Sequence, residues 1–168
     1  MRIIETKAYK FGELSESAKD KAVLALFDIN VSYEWWESTY EDAKNIGLKI
    51  TGFDIDRRNS IDAEFIWSAE ETAHKIVDNH GETCDTYTTV EAYLKERDGL
   101  INTAEKDENE DFVSEYELDS IDAGFLRALK EEYLSMLRKD YDYRTSREPI
   151  IESIEANEYE FTEGGEVV

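Results

Sequence analysis

Hydrophobic positions along the chain change period several times, and each change marks a predicted element. Arg2 to Phe11 alternates loosely and ends at Gly12, as a strand entering a turn does. From Ser15, a suitable N-cap, Ala18, Ala22, Ala25, Leu26 and Ile29 recur at helical spacing. A second helix is expected from near Tyr33 to Gly47, with Trp36, Tyr40 and Ala43 on one stripe. Leu48 to Asp56 alternates again. It places Leu48, Ile50 and Asp54 on one face and Lys49, Thr51, Phe53 and Ile55 on the other, with Ser60 to Trp67 as its hairpin partner across Arg57, Arg58 and Asn59.

Ser68 with Glu71 forms a capping box, so a helix is expected from there to near Gly81. A short helix from about Thr89 to Thr103 leads into Glu105 to Asp111, an acidic loop without an aliphatic residue. Leu118, Ile121, Phe125, Leu129, Tyr133 and Met136 or Leu137 then keep to one face of the longest helix, near 114–141. Pro149 suits the first turn of a last helix over 148–156, and Tyr159 to Val168 reads as a strand, a Gly-Gly turn and a strand stub. No internal repeat is evident. The pattern predicts one α+β domain over 1–168, rich in helix, with a small antiparallel sheet built from strands near 2–11, 48–56, 60–67 and 158–162.

At 168 residues, 40% hydrophobic and 12% aromatic, the chain has enough apolar material for a packed core. The N-terminus has charges inside its short apolar stretch, unlike a targeting signal, and the longest apolar helical run, Ala22 to Phe27, is far below a membrane span. One cysteine, Cys84, allows no intrachain disulfide. A cytoplasmic protein without membrane contact is expected.

Charge changes the picture most. There are 41 Asp and Glu against 19 Lys and Arg, a net of -22, whereas solubility alone calls for a magnitude of about 2–8. Salt adaptation is one reading, but eleven of the cations are Lys and the charge is uneven: residues 1–84 carry 17 acids and 10 bases, residues 85–168 carry 24 and 9. The excess peaks in 105–122, where nine acids face a single lysine, Lys106. On the predicted long helix Glu115, Asp119 and Asp122 fall at i, i+4 and i+7, a ladder about 5–6 Å per step, placed roughly opposite the Leu118 and Phe125 stripe.

Motifs with chemistry of their own are incomplete. Glu71 and His74 have E-x-x-H spacing, but a di-iron bundle needs two such motifs with further Glu ligands. His74, His80 and Cys84 match no common zinc spacing, and Glu82 and Asp85 beside Cys84 oppose thiolate formation. Asp107, Asn109 and Asp111 imitate the start of a calcium loop, which then fails at Phe112 and Leu118. No catalytic residue, metal or cofactor is assigned. Direct nucleic-acid binding is opposed by the charge, since a binder needs cations to displace counterions from phosphate.

An acidic surface can instead compete with DNA for a basic groove, steered electrostatically. The residues expected to bind a partner are Asp107, Glu108, Glu110, Asp111, Glu115, Asp119 and Asp122, extended by Glu152 and Glu155. Trp35 is expected as an exposed aromatic beside a packing Trp36, and Tyr141 and Tyr143 as surface anchors.

The run Ala43-Lys-Asn-Ile-Gly-Leu-Lys-Ile-Thr-Gly-Phe-Asp-Ile-Asp-Arg57, preceded by Tyr33-Glu-Trp-Trp-Glu37, resembles a family of small proteins from phages and other mobile elements. Its members often carry the label "antitoxin of a toxin-antitoxin stability system". The segments Ser68 to His74, His80 to Cys84 and Ala156 to Glu163 are similar too. The resemblance implies a phage-encoded accessory protein in a bacterial cell. With the charge, it leads to the expectation of a counter-defence inhibitor that binds a basic host protein, a nuclease or another DNA-binding defence component. The alternative is an antitoxin-like protein that neutralises a toxin by direct binding.

Overall fold

A computed structural model describes residues 7–104 and 115–168, and the predicted acidic loop 105–111 lies outside them. The chain divides into a terminal unit, 1–35 with 139–168, and a central unit, 36–138.

In the terminal unit, strand β1 (Tyr9–Lys10) leads through a 3-10 turn into helix α1 (Glu16–Ala25). Ser15 caps α1 by accepting from the Ala18 N–H at 3.3 Å, as its sequence position predicts. Helix α6 (Arg147–Ala156) has Pro149 in its first turn and precedes strand β4 (Glu160–Phe161). β4 pairs antiparallel with β1 in the register Tyr9 to Phe161, and Phe161 bridges Val167 after the Gly-Gly turn. Phe11, Leu14, Ala18, Ala22, Ile150, Ile154 and Phe161 form one buried cluster, so the two ends of the chain share a core. Gly165 is fixed by sterics. Its φ is +86°, and a Cβ there would collide with the Ala18 carbonyl oxygen.

The central unit holds α2 (Glu37–Asn45), the hairpin β2 (Leu48–Asp54) and β3 (Ser60–Phe65), α3 (Ala69–Asn79) and α4 (Asp85–Ala104). Helix α5 (Glu115–Arg144) contributes its residues through Arg138 here and its last six residues to the terminal unit. The α+β class and the long helix are as expected, with the strands divided between two two-stranded ladders.

The face assignment of β2 needs correction. A bulge sets Thr51 and Gly52 against Asp62, after which Phe53 pairs with Ile61. Phe53 thus joins Leu48 and Ile50 on the face shared with Ile61, Ala63 and Phe65, although strict alternation had put it opposite. Its ring meets Trp36 at 5.6 Å and Tyr40 at 6.2 Å, edge to face. On that side of the unit Phe65, Phe125 and Tyr93 stack in series, with Tyr93 and Phe125 4.2 Å apart. Among the described residues, no helix is long and apolar enough to cross a membrane.

Candidate functional site

The residues expected to meet a partner fall in both units. Asp107, Glu108, Glu110 and Asp111 lie outside the described residues. Glu115 and Asp119 are exposed one turn apart on α5. Between them stands Tyr116, 81% exposed, an aromatic that the sequence pattern did not single out.

Asp122 is different. It is half-buried, and its Oδ1 accepts a 2.8 Å hydrogen bond from the Tyr93 hydroxyl of α4. Helical geometry explains the correction: at about 100° per residue Asp122 lies only about 60° from Phe125, on the packed side of α5 and not opposite it. Its carboxylate therefore serves the fold.

In the terminal unit, Glu152 and Glu155 are exposed on α6 and Tyr143 is 64% exposed. The expectation for Trp35 is overturned: it is 6% exposed and its ring lies 5.7 Å from that of half-buried Tyr141. Trp35 precedes the first turn of α2, so a helical-wheel argument did not apply to it. Trp35 and Tyr141 thus pack on each other, which leaves Tyr143 as the exposed aromatic of the set.

The structure also assembles a polar constellation with no local sequence signature. The hydroxyl of fully buried Tyr133 on α5 donates to Asp42 Oδ2 on α2 at 2.7 Å. His80, the C-cap of α3, holds Thr86 Oγ1 at the start of α4 through Nδ1 at 2.7 Å, and its Nε2 is 3.6 Å from Asp42 Oδ1. Burial and the neighbouring Asp42 carboxylate push the Tyr133 phenol far above its ordinary pKa. Burial and Asp122 do the same for Tyr93.

Carboxylate, imidazole and hydroxyl here stand in the order of a nucleophile relay. Two observations turn that chemistry away: Thr86 is 5% exposed, and 3.6 Å between Nε2 and Asp42 is too long for a hydrogen bond. The constellation ties α2, α3, α4 and α5 together. One helical position from Tyr133, Glu132 accepts from the Thr89 hydroxyl through Oε1, while its buried Oε2 has no partner among the described residues. Burial raises the Glu132 pKa, which the Thr89 bond opposes.

Glu71, His74 and Cys84 are exposed, and among the described residues no group of three His, Cys, Asp or Glu side chains could hold a metal ion. Comparison with family models, curated proteins and solved structures finds no match.

Proposed function

We propose that this chain is a non-enzymatic interaction protein that binds a basic, nucleic-acid-acting partner by presenting carboxylates where that partner would hold phosphate. The charge balance carries the reading. With 41 acids and 19 bases, 22 carboxylates stay uncompensated however the cations are paired. Exposed Glu115 and Asp119, flanking Tyr116, support a contact that joins charge to an aromatic anchor. The resemblance to mobile-element proteins makes a host defence component the partner class, with toxin neutralisation as the competing outcome.

The test is affinity capture from bacterial lysate on the immobilised chain, eluted with a salt gradient in the presence and absence of duplex DNA. Basic proteins should be retained, should be displaced by DNA, and should elute earlier from a Glu115→Gln/Asp119→Asn bait. Roughly two- to fivefold weaker binding per removed charge is expected. A partner held equally well at high salt and with excess DNA refutes the proposal and favours the toxin.

A further inference from the structure

Against this acidic background one groove of the central unit carries the opposite charge. It lies between the start of β3 and α5, with a volume of about 370 Å³. Buried Ile61 and Leu134 and half-buried Leu126 supply apolar lining, Asn59 and Ser60 supply polar groups, and Arg127 and Lys130 stand on the helix side. The groove between α4 and α5 has Glu96 in its lining and no lysine or arginine.

Arg127 and Lys130 make no ion pair or hydrogen bond among the described residues, although carboxylates outnumber cations two to one in the chain. Glu131, also in the lining, sits four residues beyond Arg127, the weaker order for a helical ion pair, and no such pair is present. Lys49 pairs with Glu64 at 2.9 Å and Arg97 with Glu70 at 3.0 Å, while Lys21, Lys44 and Lys95, like Arg127 and Lys130, make no ion pair among the described residues. Asp54 Oδ1 accepts from the backbone N–H groups of Arg57 at 2.8 Å and Asp56 at 3.0 Å, and Asn59 adopts a φ of 50°. Two cations against one carboxylate leave the lining with a single net positive charge, suited to one anionic group and poorly suited to a polyanion.

We infer that this groove binds a small organic anion, one acidic group on an apolar body. The body lies on Ile61, Leu126 and Leu134, the acidic group meets Arg127 and Lys130, and Asn59 and Ser60 supply hydrogen bonds at the rim. Size points the same way, since about 370 Å³ is at the small end of ligand pockets. The inference is independent of the proposed function, which uses none of these residues.

The probe is 8-anilinonaphthalene-1-sulfonate, titrated into the full chain at low ionic strength and followed by fluorescence, with decanoate and its uncharged counterpart decanol as competitors. Saturable one-site binding is expected, displaced by decanoate and not by the same concentration of decanol. Arg127→Gln/Lys130→Gln should weaken the dye at least about tenfold, and Lys130→Arg should preserve affinity, with the melting temperature held in both. Equal displacement by decanol, an unchanged affinity in the double variant, or no saturable binding overturns the inference. The competition on the unaltered chain decides it even if a variant misfolds.

Discussion

Alkaline pH should destabilise the central unit through two tyrosines. Tyr133 is fully buried, Tyr93 nearly so, and each hydroxyl donates to a carboxylate, Asp42 and Asp122 respectively. An ionised phenolate in either place would face that carboxylate inside the protein, so both folded-state pKa values lie well above the ordinary value of about 10. In the unfolded chain the same groups titrate near 10. Above that pH the native state therefore binds more protons than the unfolded state, and stability must fall as pH rises. Integrated from pH 8 to pH 11, the loss is about 1.4 kcal/mol for each tyrosine, or roughly 3 kcal/mol together. That is a large part of the 5–15 kcal/mol typical of a domain. The assay is urea denaturation at half-unit steps from pH 8 to 11, comparing the native sequence with Tyr93→Phe/Tyr133→Phe. At pH 8 the variant should be less stable by about 2 kcal/mol, the net worth of two hydrogen bonds. By pH 11 that gap should close or reverse. Lysine titration and growing net charge act on both proteins and cancel in the difference. A gap that stays constant across the range refutes the argument that these phenols are held protonated by burial.

Two further outcomes follow from the same structure. Because burial raises the Glu132 pKa, its stabilising contribution belongs to the protonated form, complete at low pH and lost as pH rises through the folded value. Glu132→Gln should accordingly raise the stability of the chain at pH 7 and leave it unchanged near pH 4, measured by urea denaturation. Gly165→Ala should cost the terminal unit at least about 2 kcal/mol, seen as faster hydrogen exchange in α1 and α6, since the added Cβ meets the Ala18 carbonyl and the backbone is left-handed.

Local rules read much of the fold directly. Ser15 and Ser68 cap the helices their spacing announces, and the period of Leu118 to Leu137 fixes a helix whose buried side holds Phe125, Leu129, Tyr133 and Leu137. Each signal lies within a few residues of the backbone groups or the stripe it governs. The packed side of Asp122 is legible in the helical period, which sets it about 60° from Phe125; only its partner Tyr93, 29 residues away, has no local signal. Errors arose where a side chain's surroundings come from distant segments. Trp35 looked available until Tyr141 covered it.

By itself, then, the sequence determined the α+β class, most helix boundaries, and a surplus of 22 negative charges that no folding can neutralise, because these depend on local propensity and on counting. Only the tertiary structure decided which carboxylates remain on the surface. It also set the bulge that turns Phe53 inward, the meeting of Asp42, His80, Thr86 and Tyr133, and the placing of Arg127 and Lys130 beside an apolar groove. Each of these is a contact between residues far apart in the chain, specified by packing and by the requirement that buried polar groups find partners. Neither condition leaves a short-range pattern to read.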